Sequence, residues 1–336
     1  FCTIEPNVGI VSVADSRLKQ IRTLIDSEKL IPTVVEFVDI AGLVSGASKG
    51  EGLGNQFLGH IRQVNAIIHV VRCFEDADVV HVDGKIDPLN DIETINTELA
   101  LADLEVVEKK LLQLPKLVKN QNKEISSKAK IQLPVLDKLK QHLGDGFPAR
   151  TRELDEEEVD AISELNLITM KKMLLLCNID EDGVQEDNDY VKQVKNYAGE
   201  EGYEILTICC KLESEISALE SEEDKSEFME AAGIEHSGLD LMTVAAYKML
   251  GLNTYFTAGP KEIRAWTFKN GATAPEAAGV IHTDFQRGFI KAEVYHCDDL
   301  FQFKTELSVK ENGKLRIEGK EYLVKDGDII HFRFNV

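Results

Sequence analysis

The sequence predicts an α/β protein with two additions: a helical hairpin inserted into a parallel sheet, and a small grasp-like β sheet at the C-terminal end. Three observations predict it. Short apolar runs at residues 34–38, 66–73, 173–177 and 205–209 are separated by helical stretches, as in a parallel sheet buried on both faces. Between the second and third runs, Ile92, Ile95, Leu99, Ala102 and Val106 recur at alternating spacings of three and four, a heptad seam. From residue 252 onward, strand-like runs and a single helix start replace that pattern.

Residues 8–13 alternate and read as a strand. Residues 15–27 read as a helix, with Asp15 and Ser16 available as caps. The strand at 34–38 follows, then helical character at 54–63 and the nearly continuous apolar strand at 66–73. The heptad seam opens a long helix that Leu111 and Leu114 continue imperfectly. After a polar stretch at 119–130, Leu136, Leu139 and Leu143 form a second seam, so two long antiparallel helices are expected. In the C-terminal part, 263–268 and 288–294 read as strands, and Thr273 with Pro275 marks a helix start. Asp326-Gly327 reads as a hairpin turn into a strand with Ile330, Phe332 and Phe334 on one face and His331 and Arg333 on the other. Four or five strands with one helix is the natural size of that unit. The expected domains are 1–97 with 165–250, the insert 98–164, and the C-terminal unit 252–336.

The 336 residues carry a net charge of −21, which argues against general nucleic-acid binding. The charge is uneven. Residues 260–336 hold 12 basic and 12 acidic side chains, so the whole deficit lies upstream. Within that acidic part, Lys109, Lys110, Lys116, Lys119, Lys123, Lys128, Lys130, Lys138 and Lys140 face only Glu124 and Asp137, a local balance of +7. Either these lysines solubilise an exposed helix pair or they form a face for RNA; a merely solvated face would share the acidic bias of its surroundings. Six cysteines include no C-x-x-C pair, and several lie in apolar runs, which reads as reduced and intracellular. No apolar run approaches the roughly 18 residues of a membrane span and no signal peptide is visible, so a cytoplasmic protein is expected.

The chemistry starts at Asp39-Ile40-Ala41-Gly42, which ends the strand at 34–38 and leads into Gly46, Gly50, Gly52 and Gly54. A strand that delivers an aspartate and, three residues on, a glycine suits a nucleotide-triphosphate switch. The carboxylate reaches Mg²⁺ through water, and the glycine amide senses a γ-phosphate. The same four residues also make an ordinary turn. Base recognition belongs on a loop after a late strand, and 173–177 is followed by Asn178-Ile179-Asp180-Glu181. Guanine-specific switches use Asn-Lys-x-Asp, whose aspartate accepts from guanine N1–H and its amine. Here Ile179 replaces the lysine and Glu181 the aspartate, which displaces the carboxylate and weakens guanine selectivity; a plain Asn/Asp turn is the competing reading. Leu43 stands where many such enzymes place a water-orienting glutamine, and an apolar side chain cannot polarise water. His81, in the loop 76–84, is the candidate catalyst, against the reading of an exposed loop histidine. Phe74 lies either against the base or in the core. Thr3 is the candidate second Mg²⁺ ligand. The phosphate cradle G-x-x-x-x-G-K-[ST] does not occur, and the chain opens on Phe1, so the first strand and cradle are expected upstream.

Together, residues 1–7, 39–62, 70–87, 178–183 and 255–336, including His282-Thr283-Asp284-Phe285 and the closing run 331–336, resemble the YchF/Obg-like ATPases, a branch of the translation-factor P-loop NTPases. The likeness spans essentially the whole chain. It implies a P-loop NTPase G domain (here without its first strand and P-loop), an α-helical insert and a C-terminal TGS domain of β-grasp type. It implies ATP preferred over or accepted alongside GTP through Asn178 and Glu181, Mg²⁺ with Thr3 as a ligand, His81 as catalyst beside Leu43, and association with ribosomes. Cys209-Cys210-Lys211 differs from the family's usual small residues on the base side.

The expectation is therefore a cytoplasmic switch that hydrolyses ATP with Mg²⁺ and docks on the ribosome, through the large subunit or the whole particle, with the lysine face 109–140 on rRNA. Its site residues are His81 for catalysis, Gly42, Phe74, Asn178, Ile179 and Glu181 for nucleotide, and Thr3 and Asp39 for metal. The alternatives are a GTPase of the same fold and an RNA-binding adaptor that does not turn nucleotide over.

Overall fold

The computed structural model describes residues 7–40, 53–76 and 85–335. The first part runs β1 (Asn7–Ser12), α1 (Ser16–Leu24), β2 (Lys29–Ile31), β3 (Val34–Asp39), α2 (Leu53–Gln63) and β4 (Ala66–Arg72). Then come α3 (Pro88–Val118), α4 (Lys123–Gly144), α5 (Glu156–Ile162), β5 (Lys172–Asn178), α6 (Asp189–Glu201) and β6 (Glu204–Ile208). Helices α7 (Cys210–Ala218), α8 (Glu222–Ala232) and α9 (Gly238–Met249) lead to β7 (Leu252–Ala258) and β8 (Glu262–Lys269). The chain closes with α10 (Ala274–Ile281), α11 (Thr283–Arg287), β9 (Phe289–His296), α12 (Cys297–Phe303), α13 (Glu306–Glu311), β10 (Arg316–Glu318) and β11 (Asp328–Phe334). The described residues form two compact units: 7–8 with 38–238, and 9–37 with 239–335.

In the first unit β4, β5 and β6 form a parallel sheet, paired from Ala66↔Lys172 to Arg72↔Asn178 and from Leu174↔Glu204 to Asn178↔Ile208. Its core joins Val71 and Cys73, Leu175 and Cys177 to Val191, Val194 and Ala198 of α6 and to Ile92, Leu99 and Ala102 of α3. The apolar runs read as buried strands are those strands. Among the described residues β3 is not a member of this sheet; it pairs with β1.

The hairpin forms, and Val106, Leu111 and Leu114 pack in it with Leu136, Leu139 and Leu143 as the spacing suggests, but the first part of the seam goes elsewhere. Ile92, Ile95, Leu99 and Ala102 face the α/β core, while Ala100, Val107 and Leu114 turn to meet Ala129, Val135, Leu136, Leu139 and Leu143 of α4. Helix α3 thus serves two cores from two faces. The helices run antiparallel: Lys140 pairs with Glu108 (2.9 Å) while Ser126 Oγ donates to Val118 O (2.6 Å) at the other end. Part of the polar stretch is helical, because Asn122 caps α4 by accepting from Glu124 N–H (2.9 Å). Five of the nine lysines are paired: Lys109 with Glu105, Lys110 and Lys128 with Glu164, Lys138 with Glu158, and Lys140 with Glu108. The Lys110 and Lys128 ammonium groups hold the Glu164 carboxyl well below its ordinary range, at about 2. Lys116, Lys119, Lys123 and Lys130 are exposed and have no ion-pair partner among the described residues.

The second unit holds a six-stranded sheet of order β10-β9-β11-β7-β8-β2. It is larger than expected because β2, from far upstream, adds to its edge, parallel to β8. The Asp326-Gly327 turn is not a hairpin: β11 enters the middle of the sheet, antiparallel to β9 and parallel to β7, and β10 pairs with β9 instead. The glycine itself is required, with φ +87 and a Cβ that would lie 2.7 Å from His296 Nε2. Both faces of this sheet are covered. Tyr255, Phe289, Val294 and Ile330 pack on Ala274, Ala277 and Ala278 of α10, and the alternate residues Phe256, Tyr295 and Ile329 pack on Leu18 and Ile21 of α1 and on Leu300. Arg17 ties α1 down, bonding Asp15 (2.8 Å) and Asp326 (2.6 Å).

Candidate nucleotide site

Because β4, β5 and β6 are parallel and paired to their ends, the loops after them leave from one edge of the sheet, where open α/β sheets bind ligands. Phe74, the segment from Asn178 to Glu181, and Cys210 with Lys211 all follow directly on those ends. Cys73 N–H donates to Asn178 O (2.8 Å) and Ile179 N–H to Ile208 O (3.0 Å), extending the pairing one step past the strands.

Asn178 does local work first: its Oδ1 accepts the Cys210 N–H (3.1 Å), which fixes the start of α7 beside the base-side loop. Ile179 is 4% exposed and belongs to the core, so it holds the loop down rather than presenting a side chain. Asp180 Oδ1 accepts Gly183 N–H (3.0 Å), a turn that leaves Glu181 exposed. Glu181 Oε1 lies 2.5 Å from Lys211 Nζ. That hydrogen bond raises the Lys211 pKa above its ordinary value. Both side chains are more than half exposed, so the pair contributes little stability; its effect is to orient the carboxylate.

Phe74 is half-buried, with the Arg72 guanidinium 4.9 Å from its ring centroid and Arg72 Nε donating to Phe74 O (3.1 Å). Asn188 Nδ2 donates to Cys73 O (2.7 Å) while its Oδ1 caps α6 at Val191 N–H (2.9 Å). Sequence reading missed both Arg72 and Asn188. An asparagine ahead of a periodic run signals the cap, but nothing local signals its bond to a strand over a hundred residues away.

Asp39 ends β3 with an exposed carboxylate that has no hydrogen bond or ion pair among the described residues, and the next residue, Ile40, packs against the core of the first unit. An unengaged, hard oxygen donor fits a hydrated Mg²⁺. The structure therefore brings Phe74, Asn178, Ile179 and Glu181 to one sheet edge and leaves Asp39 without a partner among the described residues. Thr3, Gly42 and His81, with Leu43, lie outside the described residues.

Residues 1–125 match the family model described as a 50S ribosome-binding GTPase, and residues 252–335 match YchF-GTPase_C, described as a protein of unknown function. The ribosome-binding ATPase YchF of Bacillus subtilis is 52% identical over all of this chain and 91% of its own length. The chain belongs to the YchF family. The YchF protein of Haemophilus influenzae, also named a ribosome-binding ATPase, is 53% identical over 100% of this chain and 91% of its own. A solved structure of the YchF GTPase of Schizosaccharomyces pombe superposes with a TM-score of 0.87 at 36% identity, covering 98% of this chain and 88% of that one. The fold is accordingly the α/β P-loop GTPase fold of YchF proteins. No helix among the described residues is long and apolar enough to cross a membrane.

Proposed function

We propose that this chain is a YchF-type switch that hydrolyses ATP to ADP and phosphate with Mg²⁺ and docks on the ribosome in the cytoplasm. The observation that carries the reading is the sheet edge where Asn178 anchors the base-side loop and Glu181, paired with Lys211, stands in the guanine-reading position. A glutamate carboxylate one methylene further out does not meet guanine N1–H and its amine as an aspartate does, which supports a weakened preference for guanine. Phe74 offers a ring to the base. Asp39 and Thr3 would hold the Mg²⁺, which neutralises developing phosphate charge when bound. His81 orients the attacking water in place of the missing glutamine, since Leu43 cannot. The names of the relatives support the ribosome as partner. For RNA contact, the lysine face narrows to Lys116, Lys119, Lys123 and Lys130, because the other five are already ion-paired, with four glutamates, within the fold. The proposed domains are a G domain (1–97 and 165–250), a helical insert (98–164) and a TGS unit (252–336).

The test is a titration of the full-length protein with labelled ATP and GTP. Tighter ATP binding is expected, and Glu181→Asp should move the preference toward GTP by about tenfold, the effect of one misplaced hydrogen-bonding group. A strong GTP preference in the unmodified protein would refute the argument from Glu181, and no binding of either nucleotide would favour the non-hydrolysing adaptor.

A further inference from the structure

Phe74 follows β4 past its last ladder pair, Arg72↔Asn178. One further bond, from Cys73 N–H to Asn178 O (2.8 Å), carries the pairing a residue beyond the strand. From there the direction of the Phe74 ring depends on the two peptide groups that flank it, and a side chain holds each. The Cys73 carbonyl before it accepts from Asn188 Nδ2 (2.7 Å). The Phe74 carbonyl after it accepts from Arg72 Nε (3.1 Å), and the same guanidinium lies 4.9 Å from the ring centroid. Tyr190 adds a third tie, its hydroxyl donating to Glu75 Oε1 (2.8 Å). The start of α6 thus grips the segment 73–75.

Asn188 has two duties. Its Oδ1 caps α6 by accepting the Val191 N–H (2.9 Å). Capping needs only an acceptor, and Ser or Asp would serve as well as Asn. The bond to Cys73 is what needs the amide, which carries an acceptor and N–H donors on one short side chain. Cys73 is fully buried, so its carbonyl is costly to leave unpaired. Without the Asn188 donor the peptide between Cys73 and Phe74 is free to turn toward another partner. Turning it changes φ of Phe74 and swings the ring.

We propose that Asn188 is a positioning residue for nucleotide binding: by holding the Cys73 carbonyl, it aims the Phe74 ring at the base of the bound purine nucleotide. It acts through Phe74 and not by its own contact with the nucleotide. The proposal rests on the reading of Phe74 as a base-stacking residue, and the experiment separates the two.

ATP with Mg²⁺ is titrated into the full-length protein and into Asn188→Ser, Asn188→Asp, Phe74→Ala and the double variant Asn188→Ser with Phe74→Ala. Both replacements at 188 keep an acceptor for the α6 cap and lose the donor, so their urea midpoints should stay close to that of the unmodified protein. Phe74→Ala should weaken ATP binding at least about fivefold, the loss of one base–aromatic stack. Asn188→Ser and Asn188→Asp should each weaken it at least about threefold, and the double variant should bind no worse than Phe74→Ala alone. If both 188 variants bind ATP like the unmodified protein while Phe74→Ala does not, the positioning role is overturned and the reading of Phe74 stands. A double variant whose loss is the product of the two single losses overturns it as well, because Asn188 then acts on the structure and not through the ring. Unchanged binding in Phe74→Ala overturns both.

Discussion

Asp103 shows how much one side chain holds. It is fully buried in α3, and its carboxylate accepts Ile168 N–H (3.0 Å), Thr169 N–H (2.7 Å), the Thr169 hydroxyl (2.7 Å) and Arg62 Nη1 (2.9 Å). It fastens α3 to the turn that feeds β5, and so sets where Asn178 ends up. Asp103→Ala would strand those donors and a partly buried guanidinium, at about 3–5 kcal/mol, measurable as a lower urea midpoint. A change below about 1 kcal/mol would mean that water replaces the carboxylate freely. For chemistry, His81→Ala should lower ATP turnover with little loss of ATP affinity; unchanged turnover would return His81 to the status of a loop residue. The two are unequally legible. His81 stands out in sequence by residue type, whereas Asp103 looks like one more charge on a helix, since nothing local reveals that a turn 65 residues on will bring it donors.

At the scale of elements, α3 explains why a heptad count misleads. The spacing of Ile92, Ile95, Leu99 and Ala102 is real, but it marks the stripe that packs on the sheet, and a rotated stripe makes the hairpin. Periodicity reports that a face is buried, not what buries it. The acid that neutralises the hairpin lysines lies outside residues 109–140, at Glu105, Glu108, Glu158 and Glu164, so the +7 of that stretch overstates the charge it presents. Reversing Lys116, Lys119 and Lys123 to Glu should weaken ribosome association at least about tenfold and flatten its salt dependence, read by cosedimentation over a salt series. Retained binding would remove the end of the hairpin from the interface. Strand β4 contributes a pH effect. Burial lowers the His69 pKa to about 4 from 6.5, and its Nδ1 has no partner among the described residues. The unfolded chain protonates near 6.5 and the folded one near 4, so this stability is full above pH 6.5 and is lost as pH falls toward 4, about 3 kcal/mol in all. Urea midpoints should fall over that window, and His69→Leu should flatten the fall; an unchanged profile would show that His69 is hydrated.

Across the whole molecule, local pattern was a good guide to strands and a poor one to their company. The parallel strands at 66–73, 173–177 and 205–209 were readable as apolar runs, but among the described residues only 173–177 is buried on both faces, and Val70 of β4 is exposed. The entry of β2 and α1 into the C-terminal unit was not, since a three-residue edge strand and one amphipathic helix carry no mark of a partner more than 200 residues away. The Asp-Gly turn was located correctly and joined to the wrong neighbour, because turn chemistry sets a local bend and not which strand fills the next place in a sheet.

The chain leaves one unit for the other inside β1, inside β3 and at Gly238, and two of these crossings lie in strands that pair with each other. Upstream, β3 is gripped where Val35 packs with Val13 and Tyr247; downstream it ends on Asp39. An extended strand scarcely stretches along its own axis, so the run of β3 from Val35 to Asp39 keeps a nearly fixed length.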